Sequence, residues 1–246
     1  GVAAALLAGA LLALIHAFLT VTLRANQVVS GLAVTLFGTG LSGYLGQDYV
    51  GQPAGAVFGK IAVPLLSDIP IIGSILFKQD ALVYISYFLV PLTACYFYKT
   101  RSGLFLRAMG ENPAAVDAAG INVFGLRYLY IVIGGALAGV AGAYLSLAYA
   151  PSWLENMTAG RGWIAVALVI FALWDPWRAM AGSYLFGGID ALGFNLQVLG
   201  VPVSGFILNM LPYIFTVLVL VLVLKRRGGR SASPQALGLS YDREER

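Results

Sequence analysis

Long apolar runs separated by short polar breaks set the pattern of this chain. Residues 1–22, 28–45, 81–98, 128–150, 177–196 and 203–224 are each predominantly apolar over 18 residues or more. Roughly 20 helical residues cross a ~30 Å hydrocarbon core, so each run predicts a membrane-spanning helix. The run 163–174 is shorter and would cover only about 18 Å as a helix. It can cross by borrowing the small residues back to Met157. Residues 46–80 form a long connection containing Gly51, Gly55, Gly59, Pro53, Pro64 and Pro70. Its apolar segment 61–77 is broken by two prolines and Asp68, which fits a re-entrant or interfacial element better than a crossing. The expected fold class is an all-α polytopic transmembrane helix bundle with about seven crossings plus that element. Residues 1–226 form the membrane domain, and 227–246 form a disordered polar tail low in aromatics.

The most polar internal stretch, Lys99 to Arg127, interrupts this pattern. Asn112 is placed to cap a helix entered at Pro113, and Gly120 stands where a left-handed stop belongs. The resulting helix of about two turns is too short to be stable alone, so something must hold it. Ala114, Ala115, Ala118 and Ala119 give it a small face that a partner surface can approach closely. Arg107, Glu111 and Asp117 set charges around that contact.

Composition agrees with the periodicity. The chain is 59% hydrophobic and 11% charged, against about 25% charged for a soluble domain. The single Cys95 can form no internal disulfide. Charge placement orients the chain, because Lys and Arg collect on the cytoplasmic side. With seven crossings, 12 of the 15 basic residues fall on one side: Arg24, the 99–127 loop, Arg178 and the tail. Lys60, Lys78 and Arg161 fall on the other. The C-terminus is therefore expected in the cytoplasm and residue 1 outside. Because the chain opens on Gly1 directly in apolar sequence, a further helix is expected before it.

A solute path through such a bundle needs polar groups inside spans. Asn26 and Gln27 at an inner entrance, Thr35, Ser42, Asp190 and Asn195 are the candidates. Asp190 is the costliest to bury and is expected to pair or to face a cavity. His16, inside the first span, is expected to pack neutral against a neighbouring helix. Gly135 and Gly139 form a G-x-x-x-G spacing that fits close helix contact.

The run Leu106-Arg107-Ala108-Met109-Gly110-Glu111-Asn112-Pro113, followed by Ala114-Ala115 and Gly120-Ile121-Asn122, resembles the cytoplasmic coupling loop of ABC-importer permeases. The branch is the one handling branched-chain amino acids, simple sugars and nucleosides. The words Ala25 to Leu32 and Pro64 to Pro70 are similar to its nucleoside-type members. The resemblance implies that the short helix at 113–119 docks on a separate ATPase subunit. It also implies an ATPase dimer, a second permease subunit, identical or related, and an extracytoplasmic binding protein that supplies the substrate. ATP and Mg would sit on the ATPase, with no cofactor on this chain. A multi-pass location in a bacterial-type cell membrane, with lipid and no nucleic acid as partner, follows from the same likeness. Nucleosides are the first substrate class implied, simple sugars the second and branched-chain amino acids the third.

Other classes find less in the residues. No G-x-x-x-x-G-K-[ST] loop occurs, so ATP hydrolysis is expected elsewhere. With one His, one Cys and no H-E-x-x-H or G-x-S-x-G, no catalytic residue and no metal ligand set is expected. The alternative is an ion- or proton-coupled secondary transporter with Asp190 in its path. Such a carrier has no use for a docking helix.

Overall fold

The computed structural model describes residues 1–70, 72–158, 160–199 and 233–243, together with 204, 207, 210, 211, 213–215, 217, 218, 221 and 225. Its helices are α1 (Val2–Ala17), α2 (Gln27–Gly46), α3 (Ile72–Leu76), α4 (Ala81–Lys99), α5 (Arg101–Glu111), α6 (Pro113–Ala118), α7 (Val123–Tyr144), α8 (Arg161–Ala172) and α9 (Pro176–Val198). One widened π turn continues α1 through Phe18–Thr22 and another continues α7 through Leu145–Tyr149. Among the described residues four helices are long and apolar enough to cross a membrane: Val2–Thr22, Gln27–Tyr49, Ala81–Lys99 and Val123–Tyr149. These match four of the expected spans. Most of the 203–224 run, including Pro212, lies outside the described residues.

The chain divides into two compact units. The first combines residues 1–88, 105–159 and 236–246; the second combines 89–104 with 160–235.

In the first unit α1 runs antiparallel to α7, and glycines set their distance. A Cβ on Gly135 would stand 2.7 Å from the carbonyl oxygen of Gly9. A Cβ on Gly9 would stand 3.0 Å from the backbone of Gly139. In lipid, where burial gives helices no hydrophobic drive to associate, such backbone approach supplies the packing. The G-x-x-x-G spacing thus has its partner in Gly9. His16 Nδ1 shares a 2.9 Å hydrogen bond with Oγ of the buried Ser30, joining α1 to α2.

The long connection 46–80 folds back on the far end of α7. The amides of Gly51, Ala54 and Phe58 donate to the carbonyls of Trp153, Pro151 and Leu147. A short antiparallel pair, β1 (Ile61–Ala62) with β2 (Lys78–Gln79), closes the segment around α3. Asp80 then caps α4, its Oδ1 accepting from the amides of Leu82 and Val83 at 2.9 and 3.1 Å.

In the second unit α8 and α9 form a tight hairpin. The expectation that α8 reaches back to Met157 is not met, because residues 155–158 form turns and Gly160, at φ +77°, starts the helix at Arg161. Leu173 and Trp174 both adopt positive φ, 57° and 59°, to reverse the chain. Asp175 caps α9, accepting from the Arg178 amide at 3.0 Å and from the Tyr98 hydroxyl at 2.9 Å. The Arg178 amide bond is the main cause holding the Asp175 carboxyl below its ordinary pKa.

Candidate functional site

The site is built around α6. Asn112 leaves the α5 helix in an extended conformation, φ −146°, and its Oδ1 accepts from the Ala115 amide at 3.1 Å. Pro113 fills the first helical position, where a missing N–H costs nothing. After six residues Gly120 turns left-handed at φ +82°. The Gly120 amide then bonds Asp117 O at 2.9 Å and the Ile121 amide bonds Val116 O at 3.3 Å. That pair is a Schellman ending, and Ile121 packs with Val116 as such an ending favours. Asn122 starts α7 at once, accepting from the Gly125 amide at 3.0 Å.

The apolar anchor of so short a helix is one buried side chain. Val116, 4% exposed, meets Met109 of α5 and Val123 of α7, with Leu106, Ile121 and Leu126 around them. Val116 therefore anchors α6 to its own chain. Ala114, Ala115, Ala118 and Ala119 are exposed, as are Arg107, Glu111 and Asn112; Pro113 is half-buried. The small face thus stays open with Arg107 and Glu111 beside it.

Asp117 is placed differently from those two charges. Its carboxylate accepts from the Tyr241 hydroxyl at 3.0 Å and from Arg243 at 2.8 Å (Nε) and 2.6 Å (a terminal guanidinium nitrogen). Those bonds raise the Arg243 guanidinium above its ordinary pKa. The partners belong to residues 233–243, expected as part of a disordered tail. Instead the segment turns over residues 235–238, with Gly238 at φ +79°, and lies along the loop. It can do so because Tyr241 adds an aromatic ring to the Val116 cluster.

The candidate path residues do not form one cluster in either unit. Asn26 is spent on capping α2, accepting from Val28 and Val29 amides at 2.9 and 3.1 Å. With Gln27, His16 and residues 237–240, it lines a cleft of about 630 Å³. Thr35 donates to Gly31 O in its own helix, and Ser42 is exposed further along α2. In the second unit Asn195 donates to Ala191 O, and the exposed Asp190 stands 3.8 Å from Arg161. Among the described residues no cluster of three or more His, Cys, Asp or Glu is arranged to hold a metal.

A family model described as "Branched-chain amino acid transport system / permease component" matches residues 1–224. The chain belongs to this permease family. The permease is 40% identical to the putative glucose ABC transporter permease protein TsgC13 of Haloferax volcanii, over 96% of this chain and 78% of that one. It is 39% identical to the nucleoside ABC transporter permease protein NupC of Lactococcus lactis, over 96% of this chain and 75% of the relative. It is 33% identical to the guanosine ABC transporter permease protein NupQ of Bacillus subtilis, over 97% and 76% respectively. No solved structure matches it. The permease is thus a multi-pass membrane component of the ABC transport class, similar to permeases named for sugars and nucleosides.

Two parts of this site escape a reading of the permease sequence. α5 sits in the polar stretch, where only Phe105, Leu106 and Met109 signal an amphipathic face at helical spacing. The docked segment 236–243 carries a single aromatic, Tyr241, and its acceptor lies more than a hundred residues away.

Proposed function

We propose that this permease is the membrane subunit of an ATP-driven importer and that α6 is the element through which a separate ATPase subunit drives it. The observation that carries the reading is the two-faced burial of α6. Val116 fixes it to α5 and α7, while Ala114, Ala115, Ala118 and Ala119 remain exposed. A rigidly held helix with an open small face is what transmitting a push from a neighbouring subunit requires, because backbones can then approach closely. Arg107 and Glu111 flank that face as charged contacts. Asn112, Pro113 and Gly120 act by holding the helix ends, and Asp117 acts from its inner side.

The orientation has support independent of charge counting. The α1–α2 turn at Arg24, the α6 loop and residues 236–243 meet at one end of the first unit, through Arg24–Asp242 and Arg127–Leu239. Residues 47–62 and 150–153 meet at the other end of α7. That arrangement fits a basic cytoplasmic end carrying loop and C-terminus, and a seven-crossing bundle with residue 1 outside. α8 and α9 would supply two crossings as a pair, and the 203–224 run the last.

The cargo is a nucleoside or a simple sugar, the classes named for the relatives NupC, NupQ and TsgC13. An extracytoplasmic binding protein would deliver it, and a second permease subunit would complete the channel. ATP and Mg belong on the ATPase. The carrier alternative would rest on Asp190, which stands 3.8 Å from Arg161, and it leaves the open face of α6 without a role.

Mild detergent extraction followed by mass identification tests the reading. The intact chain should bring down an ATPase subunit, and a variant lacking residues 111–119, equally expressed, should not. Equal recovery from both chains would reject α6 as the coupling element.

A further inference from the structure

The packing of residues 236–243 assigns the C-terminal segment a task of its own: we propose that it is a strap that sets the position of α6, with Tyr241 and Arg243 as positioning residues acting through Asp117. The proposal rests on the coupling role of α6 for its functional half; its structural half stands on contacts alone.

Those contacts reach every element around the loop. The Ala236 amide donates to Gly110 O of α5 at 2.9 Å. Arg127 of α7 donates to Leu239 O at 2.9 Å. The Tyr241 ring packs 5.7 Å from that of Phe124 of α7, and Arg243 lies 5.8 Å over the same Phe124 ring. Asp242 pairs with Arg24 in the α1–α2 turn. Asp117 receives three hydrogen bonds from Tyr241 and Arg243.

The chemistry explains why α6 needs this. Asp117 occupies the last turn of its helix, where the macrodipole disfavours an anion. With the segment docked, its side chain is only 11% exposed and its oxygens face Tyr241 and Arg243 rather than water. A carboxylate held there requires a cation and donors from protein, and a forked guanidinium supplies both in one plane. Within the first unit those partners come from the C-terminal segment. Val116 fixes α6 radially through one contact. The strap adds a second contact one residue on, which stops the helix from rocking about Val116.

Hydrogen–deuterium exchange and ATP turnover, both on the whole complex in lipid nanodiscs, test the proposal. In Arg243→Glu, amides of 113–121 should exchange about tenfold faster than in the wild type, with α2 unchanged. ATP hydrolysis stimulated by the binding protein should fall by a similar factor. Asp117→Arg should behave alike, and the double variant Asp117→Arg/Arg243→Asp should recover both readouts to within about twofold, a rescue that general misfolding would not show. Arg243→Lys should fall between, because a single ammonium cannot fork. Unchanged exchange in Arg243→Glu, or no recovery in the double variant, overturns the strap. The 111–119 deletion, run beside these, separates the two ideas. If it loses the ATPase while Arg243→Glu matches wild type in both readouts, only the strap fails. If it keeps the ATPase, the coupling role fails and the functional half of the strap with it.

Discussion

The contact between α1 and α7 makes a sharp prediction, because four glycines of one helix divide into two classes. Gly135 and Gly139 lie where a Cβ would meet α1: 2.7 Å from Gly9 O and 2.9 Å from the carbonyl carbon of Ala5 respectively. Among the described residues, no atom outside their own helix turn lies within 4 Å of where a Cβ on Gly134 or Gly142 would stand. Ordinary contact begins near 3.4 Å, so a methyl group on Gly135 forces α1 back by at least about 0.7 Å. The obstacle is backbone and cannot swing aside. Overpacking of this kind costs about 1–3 kcal/mol. Gly→Ala at an open helical position instead gains roughly 0.5–1 kcal/mol through backbone entropy. For a chain of this size each kcal/mol moves Tm by about 3 °C. Thermal melting of the detergent-purified chain, read by loss of the monodisperse size-exclusion peak, should therefore show opposite signs. Gly135→Ala and Gly139→Ala should lower Tm by roughly 3–9 °C, whereas Gly134→Ala and Gly142→Ala should leave it unchanged or raise it by about 2 °C. If Gly134→Ala proved as damaging as its neighbour Gly135→Ala, the described α1–α7 face would be wrong.

Two further substitutions probe the other elements. Val116→Ala removes the one anchor of α6 within its own loop and should cost roughly 2 kcal/mol of local stability, read as faster amide exchange over 113–121 with the spans unaffected. Asp175→Ala should cost about 1 kcal/mol by uncapping α9. Because the folded pKa of Asp175 is depressed, its contribution is present above the ordinary aspartate range and is lost as the pH falls through the folded value. Asp175→Asn keeps the cap and should flatten that acid-side dependence in thermal melts.

The legible parts of this fold are those with a local signal. Hydrophobic run length placed four of the spans, and Asn112, Pro113 and Gly120 marked both ends of α6, because caps and left-handed stops act within a few residues. α7 begins at Val123, five residues before the expected apolar start, because Asn122 caps it and the second turn accommodates Arg127 and Tyr128. α8 shows the converse. Small residues back to Met157 suit an extension by composition, yet the turn over 155–158 and Gly160 at positive φ end the possibility.

Non-local pairings were not legible. Nothing near Gly135 names Gly9 as its partner, and nothing near Asp117 names Arg243. The Arg243 pairing turns a segment with the composition of a disordered tail into a docked one. Residue type marks the polar candidates for a path, and type does not reveal what a side chain is already bonded to. Asn26 serves as a cap, and Thr35 and Asn195 bond their own helices.

The central claim is that the exposed small face of α6 contacts an ATPase subunit. Cysteine cross-linking in native membranes tests it most directly, in a Cys95→Ser background that removes the one native thiol. Cysteines placed singly at Ala114, Ala115 and Ala118 should each yield, with a short thiol-to-amine reagent, an adduct that mass spectrometry identifies as permease joined to ATPase. A cysteine at Gln52, at the opposite end of the first unit, should yield none. Adducts absent at all three α6 positions, or equally strong at Gln52, would contradict the account.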